Sequence, residues 1–244
     1  MFLQTNKKSL RFPYVFLILN LMVIIGIYFV LSQTMERALS SAIIQATQAG
    51  NSDITRIFIN EVYPELHADL ALTSVPTKVK SKLSEPELQR VDDRVRRFMF
   101  GTNVLKAKIY NINGITLYSS EASQIGDDKT GNKGFSDAAR GIPASQVTHR
   151  GQFSALDGEV FDRDLVASYI PIRDSSDDIV GVAELYTDRS TEVQHSKELI
   201  TELKSELIPA LVSILFLVAV IVWRFTSYVT HLRLELLQRN ESDI

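Results

Sequence analysis

The chain has 244 residues, a formal net charge of −3 and no cysteine. The absence of cysteine excludes disulfides and thiol chemistry, while it permits export from the cytoplasm. No basic stripe with interleaved aromatic residues occurs in the sequence, which argues against nucleic acid as a partner.

Two uncharged apolar segments bracket the chain. They cover residues 12–31 and residues 207–223. At about 1.5 Å of rise per residue, the first spans a hydrocarbon core of roughly 30 Å and the second barely does so. We therefore predict two transmembrane helices. A cleaved signal peptide is the alternative for the first, although its apolar run is long and only a weak cleavage site follows it, at Ala38-Leu39-Ser40.

The basic residues set the orientation. The segment before the first apolar run carries three of them and no acidic residue: Lys7, Lys8 and Arg11. Arg224 directly follows the second run. Because cytoplasmic flanks of membrane helices collect Lys and Arg, we predict that residues 1–11 and 224–244 are cytoplasmic and that residues 32–206 are exported. The exported segment carries a net charge of −6 and the two flanks together carry +3, in keeping with this topology.

Helical patterns open the predicted exported segment. The first has the 4, 3, 4, 3 spacing of a coiled-coil seam, at Met35, Leu39, Ala42, Ala46 and Ala49. Gly50-Asn51-Ser52-Asp53 predicts a break, after which an apolar face resumes with a kink near Pro64. A second helix begins at Ser84, where Ser84-Glu85-Pro86-Glu87 is a capping box, and ends before Gly101.

The pattern then changes to period two, which is typical of strands. In residues 104–110, apolar residues alternate with Lys106, Lys108 and Tyr110, which predicts a strand with one covered face. Asn113-Gly114 predicts a type I′ hairpin turn into a second strand. A short helix (132–141) and three further strands (147–153, 165–172 and 179–187) follow. The fold class is α+β, with an antiparallel sheet of about five strands, a long N-terminal helix and two flanking transmembrane helices.

The last predicted helix runs without a loop from Ser190 to about Arg239, through the second apolar segment. A 3, 4, 3, 4 stripe precedes the membrane (Val193, Ser196, Ile200, Leu203 and Leu207), and a similar stripe, residues 225–236, follows it. Together with the first seam, these stripes favour a parallel homodimer. Packing of each stripe against its own domain is the alternative.

Short motifs in the exported segment resemble extracytoplasmic Cache domains, which are PAS-like sensor domains. They are Leu117-Tyr118-Ser119-Ser120, Gln124-Ile125-Gly126, Asn132 with Phe135, Ala138 and Gly141, Tyr169-Ile170-Pro171-Ile172, and Gly181-Val182 with Glu184, Tyr186 and Asp188. The resemblance covers residues 33–206 and suits a single Cache unit. It implies the ligand-sensing module of a bacterial histidine kinase, diguanylate cyclase or chemoreceptor, located in the inner (plasma) membrane with its sensor domain periplasmic or extracellular.

The resemblance also implies a ligand pocket between the sheet and the short helix. Pairing Ile109 with Tyr118 places Thr116, Tyr118 and Ser120 on one face, and pairing Ile172 with Ile179 does the same for Tyr169, Glu184 and Tyr186. We expect a small polar ligand, carboxylate-like, contacted by Tyr118, Ser120, Phe135, His149, Arg150, Tyr169, Glu184 and Tyr186. Alternatively, the hydroxyls point to the rim and Glu184 pairs with a Lys or Arg. Amino-acid-binding Cache domains carry a Trp signature that the single Trp, Trp223, does not match.

No catalytic, metal-binding or cofactor-binding set stands out, and we expect a chain that is not an enzyme. Only twenty residues follow Arg224, too few for a HAMP relay or a kinase or cyclase domain. We therefore expect either a truncated receptor or a chain that signals to a separate cytoplasmic partner. The alternative function is a membrane-anchored regulatory or structural protein whose exported domain binds another protein.

Overall fold

The computed structural model describes residues 11–70 and 84–242. The elements in chain order are α1 (Arg11–Leu70), α2 (Glu85–Met99), β1 (Val104–Asn111), β2 (Thr116–Ser119), a 3₁₀ turn (Ala122–Gln124), α3 (Lys133–Ala139), β3 (Ala144–Ala155), β4 (Gly158–Arg173), β5 (Ile179–Asp188) and α4 (Ser190–Ser242). This order confirms the predicted α+β fold class. The chain divides into a helical unit, which ends at Ala38 and resumes at Ser196, and a sheet unit, Leu39–His195.

Among the described residues, two helices are long and apolar enough to cross a membrane. They lie within Pro13–Phe58 of α1 and Ser190–Leu236 of α4, and their most apolar stretches are not buried within the protein. A helix that exposes a continuous apolar surface over this length requires an apolar solvent. Helix α4 continues through Pro209, so the predicted uninterrupted helix from Ser190 is confirmed.

The sheet is antiparallel, with the strand order β2-β1-β5-β4-β3. The central strand, β5, and its neighbour β1 are buried along nearly their whole length. We call the two sides of the sheet the α2 face and the α3 face, after the helices that pack on them. A strand that is buried on both sides requires, on each side, side chains that are apolar or that are paired with other buried polar groups.

The α2 face is a conventional apolar core. Val91, Val95 and Met99 of α2 pack with Phe58 of α1 against the sheet, where they contact side chains that include Ala107, Ile109 and Leu185. The 3.6-residue periodicity of α2 produces this stripe, and the helix starts as predicted, with the Glu87 carboxylate accepting from the Ser84 backbone N–H at 2.7 Å. Between the helices and the sheet lies a cavity of about 20 Å³, enough for one water.

The predicted break at Gly50-Asn51-Ser52-Asp53 is wrong, because α1 is continuous there. Asn51 is buried, and its side-chain amide donates to the Ser168 hydroxyl at 2.9 Å and accepts from the Thr187 hydroxyl at 3.0 Å. These hydrogen bonds to β4 and β5 stabilise a helical conformation that local propensity disfavours. Helix α1 also includes Pro64, and the predicted kink there stays a prediction.

The turn between β1 and β2 is also different from the prediction. A type I′ turn needs two residues with positive φ, but in this turn only Gly114 has one, of +82°. The Gly114 N–H instead donates to the Asn111 carbonyl, and the pairing register shifts between Ile109 and Tyr110. This is a longer loop with a bulge, in which the Asn111 side chain accepts from the Ile115 N–H.

In the β4–β5 hairpin, the predicted partner of Ile172 is shifted by two residues. Ile172 pairs with Gly181, and Arg173 rather than Ile172 pairs with Ile179. Because side chains alternate with period two, an error of two residues preserves the face on which each side chain lies. Tyr169 therefore lies directly opposite Glu184, and the predicted grouping of Tyr169, Glu184 and Tyr186 on one face is confirmed.

Candidate functional site

Helix α3 covers the α3 face and is held close to it. Its N-cap residue, Asn132, accepts from the Phe135 N–H at 2.9 Å, and Phe135 packs with Tyr110, Tyr169 and Val182. A methyl group added to Gly134 would lie only 2.4 Å from the Tyr169 ring. Glycine at this position therefore allows the helix to approach the tyrosine closely.

At the centre of this face lies Glu184, which has no exposed surface. Its Oε2 accepts from the Tyr110 hydroxyl and lies 3.8 Å from the Lys108 ammonium nitrogen. Within the described residues, Oε1 has no hydrogen-bond partner. A buried carboxylate oxygen without a donor is uncommon and energetically unfavourable, and it requires an explanation beyond packing.

Two buried lysines accompany this carboxylate, contrary to the prediction that β1 has one solvent-facing side. Lys106 and Lys108 are 4% and 5% exposed. Lys106 lies 2.7 Å from the Glu121 carboxylate and 4.3 Å from the Phe153 ring centre. We call Lys106, Lys108, Glu121 and Glu184 the ion cluster. Charged side chains are buried only when they are paired, so the cluster is a costly feature of this face.

Ionisation behaviour reflects this environment. Burial lowers the pKa of Lys108, and the nearby Glu184 charge only partly opposes this. Burial is also the main cause of the raised pKa values of Tyr110, Tyr169 and Tyr186, followed in each case by the charge of Glu184. These hydroxyls therefore remain protonated donors over the physiological range.

Tyr118 and Ser120 do not join this group. The predicted pairing of Tyr118 with Ile109 is confirmed, and the Ile109 side chain belongs to the α2 face. The register shift that follows pairs Thr116 with Tyr110, which lies on the α3 face. The predicted common face for Thr116 and Tyr118 is therefore wrong. The Tyr118 hydroxyl donates to Asp92 of α2 at 2.8 Å, and Ser120 contacts the Ala107 backbone. The predicted ligand contacts are thus divided between opposite faces of the sheet.

His149 and Arg150 lie on the exposed β3–β4 hairpin. The His149 ring contacts Asp164 at 2.9 Å and Asp162 at 3.3 Å. The positive charge of Arg150 slightly offsets the rise in the Tyr186 pKa, so this guanidinium lies within electrostatic range of the α3 face. Phe135, Tyr169, Glu184 and Tyr186 share the α3 face. Arg150 lies near this face, and His149 is hydrogen-bonded to Asp164 at the surface. The roles of these residues in ligand binding stay predictions.

Sequence reasoning missed Tyr110, Lys106 and Lys108 as members of this site. Lysine at alternate strand positions is usually the solvent side of a half-buried strand, and the pattern carries no contrary signal by itself. The useful clue is in β5, where the uninterrupted apolar run around Glu184 indicates a strand covered on both faces. A strand paired beside it, as β1 is, becomes buried on both faces too.

No protein-family model matches the chain. No curated protein matches it either. Among solved structures, the E. coli DcuS sensor domain is similar, with 17% identity over 61% of this chain and 96% of that one, and a TM-score of 0.37. The periplasmic domain of RsbU from Chlamydia trachomatis shows 17% identity over 67% and 58%, with a TM-score of 0.32. The ligand-binding domain of Campylobacter jejuni chemoreceptor Tlp3 shows 13% identity over 61% of each chain, with a TM-score of 0.29.

The architecture defines the class of domain. The sheet is antiparallel with the order 2-1-5-4-3, a long helix precedes it, and helices pack on both of its faces, which is a PAS-like arrangement. The sheet unit therefore has the α+β, PAS-like fold that the sequence predicts. Fold alone does not assign a ligand, which has to be argued from the site.

Proposed function

We propose that the chain is the input module of a bacterial transmembrane signalling protein. Its sheet unit binds a small polar molecule outside the inner membrane, and α4 transmits the binding event to a cytoplasmic output. The observation that carries the proposal is Glu184, a fully buried carboxylate with an unpartnered oxygen in the described part of the chain, placed beneath α3. A donor from a ligand is the simplest group to complete its hydrogen bonding.

The path of transmission follows from the connection between β5 and α4. The Ser190 hydroxyl donates to Asp188 at 2.6 Å, and the same hydroxyl accepts from the Asp164 N–H of β4 at 3.0 Å. The strand that carries Glu184 and Tyr186 thus enters α4 through a hydrogen-bonded junction rather than a flexible loop. A ligand shifts a conformational equilibrium only by its differential affinity for two states, so α4 is the element whose states it must distinguish.

Membrane topology is tested by labelling cysteines introduced into the cysteine-free chain. In intact cells, an impermeant thiol reagent should label a cysteine at Asp128 and should not label one at Asn240. Exclusive labelling at Asn240 would reverse the topology and remove the proposal that the sheet unit is exported.

Ligand binding is tested on the full chain in lipid nanodiscs by hydrogen exchange of β5. A ligand at 100 times its dissociation constant adds about 2.7 kcal/mol of stability, which slows exchange measurably. A library of organic acids, amines, amino acids and nucleobases should contain a compound with this effect, and Glu184→Gln should weaken it. Glu159→Gln, on the exposed end of the β3–β4 hairpin, is the matched control. If no compound slows exchange, the protein-binding function replaces this proposal.

A parallel homodimer is part of the proposal and is supported by α1. Ala42, Ala46 and Ala49 of the predicted seam are exposed, whereas Ile200 of α4 is already buried within the single chain. A crosslinking test therefore belongs on α1. Cysteine at Ala46 should form dimers in membranes at low expression, and cysteine at Ser41, on another side of the helix, should not. Equal crosslinking at both positions would argue against a specific seam.

A further inference from the structure

We infer that the ion cluster selects a ligand that is neutral overall and carries both a hydrogen-bond donor and an acceptor. This inference rests on the proposed function, since it names the chemical class bound at the same site. It also revises the expectation of a simple carboxylate, which the sequence motifs alone favour.

The first argument is the charge balance of the cluster. Lys106 and Lys108 carry two positive charges, and Glu121 and Glu184 carry two negative charges, which cancel. Three of the four groups, Lys106, Lys108 and Glu184, are at most 5% exposed, whereas the Glu121 side chain is 31% exposed. A net-charged ligand would leave one charge without compensation next to the three buried groups, and such burial is unfavourable. The other cations that act on these groups, Lys129 and Arg150, keep contact with solvent, which screens their charge.

The second argument is the unmet need for a donor at Glu184. Oε2 accepts from Tyr110, and hydrogen bonding with Glu184 also contributes to the raised pKa values of Tyr169 and Tyr186. No described group, however, lies in hydrogen-bond geometry at Oε1. An ionised carboxylate offers acceptor sites on both oxygens and no donor. The ligand therefore has to present an N–H or O–H to this oxygen. An anion without such a group would place its own lone pairs against those of Glu184.

The third argument is that Lys108 and Glu184 are paired by charge and not by a hydrogen bond. The Lys108 nitrogen lies 3.8 Å from Glu184 Oε2 and 5.9 Å from the Tyr186 ring centre, and both distances exceed those of a hydrogen bond. Lys106 differs, because Glu121 accepts from it at 2.7 Å. Lys108 and Glu184 therefore give the site its polarity, with the ligand acceptor at the lysine and the ligand donor at the glutamate.

A matched series of three-carbon probes tests the inference by isothermal titration calorimetry on the full chain in nanodiscs. L-Alanine, β-alanine and propionamide are neutral and carry donors and acceptors, whereas propionate and propylammonium carry one charge each. We expect at least one neutral probe to bind about tenfold tighter than either charged probe. Glycine betaine, which is neutral but has no N–H donor, should bind about tenfold more weakly than the best neutral probe.

Charge-changing variants provide the decisive comparison. Glu184→Gln makes the cluster +1 and should move the preference toward propionate by about tenfold, while Lys108→Met makes it −1 and should move it toward propylammonium. Glu159→Gln and Lys133→Met change exposed charges and should leave the order of affinities unchanged. If both cluster variants keep the wild-type order, the cluster does not select the ligand and the inference is wrong.

Failure of the inference and failure of the proposed function give different results. Tightest binding of propionate by the wild-type chain overturns the neutral-ligand inference and leaves ligand sensing at this site intact. If none of the probes binds at about 10 mM, the inference is also wrong. Ligand sensing itself is then decided by the hydrogen-exchange screen with the wider library.

Discussion

The two faces of the sheet solve the problem of burial in different ways. On the α2 face, apolar side chains fill the space, and the few polar groups are mutually satisfied, as in Tyr118, Asp92 and Arg96. On the α3 face, charged and phenolic side chains meet under a short helix and leave Glu184 Oε1 without a donor in the described chain. The α2 face therefore maintains the fold, whereas under the proposed function the α3 face gives up stability for ligand binding.

The largest effect should come from removing one member of the buried ion pair on the α3 face. Glu184→Leu leaves the Lys108 ammonium without its carboxylate and should lower the free energy of unfolding by about 3–5 kcal/mol. The double variant Glu184→Leu with Lys108→Met should recover most of this loss, because no charge is then stranded. Hydrogen exchange of β5 in nanodiscs measures both effects, and Glu159→Leu controls for surface changes. A double variant as unstable as the single one would contradict this account.

A smaller effect is expected where α3 meets Tyr169. Gly134→Ala places a methyl group 2.4 Å from the ring and should cost about 1–3 kcal/mol through overpacking. Gly131→Ala, in the loop just before α3, meets no atom within 4 Å and serves as the matched control. Thermal unfolding of both variants would show whether the close approach is required. Equal stabilities would mean that α3 moves away from the sheet at little cost.

On the α2 face, removing one hydroxyl should have a moderate effect on stability and none on ligand preference. Tyr118→Phe removes the hydrogen bond to Asp92 and should cost about 1.5 kcal/mol, because a charged acceptor loses one donor. Asp92 keeps its contact with Arg96 at 2.6 Å. Calorimetric binding of the three-carbon series should be unchanged. A reordered series would show that the two faces are not independent.

The smallest effect concerns the pH dependence that Lys108 contributes. Since burial lowers its pKa in the folded chain, Lys108 releases its proton at a lower pH in the folded chain than in the unfolded chain. The free energy of unfolding of the wild type, minus that of Lys108→Met, should therefore rise with pH until the ordinary lysine pKa of 10.5 is reached. The slope of this rise is at most about 1.4 kcal/mol per pH unit. Denaturant unfolding of both chains between neutral and alkaline pH measures this difference. A difference that falls with pH would contradict the sign.

Local sequence patterns predict most of the elements because caps and periodicity act over a few residues. The Ser84 cap, the short helix α3 and the uninterrupted α4 are all of this kind. The errors arise where distant contacts decide. Asn51 is helical because its side chain hydrogen-bonds with β4 and β5. Lys108 is buried because its strand, β1, is covered on both sides. The candidate site was only half predictable. Tyr169 and Tyr186 follow from strand alternation, whereas Tyr110 lies in a strand whose alternating lysines imitate a solvent-facing pattern.

Asn51 gives α1 a fixed rotational phase. Its amide binds β4 and β5 with opposite ends, so the helix is seated in one angular setting on the sheet. Since one residue advances an α-helix by about 100°, inserting a single residue after Ala46 would turn all preceding residues by that angle while Asn51 stays in place. Four inserted residues would bring the preceding residues back to within about 40° of the original phase. An insertion series in α1 thus changes rotation in known steps without altering any residue of the sheet.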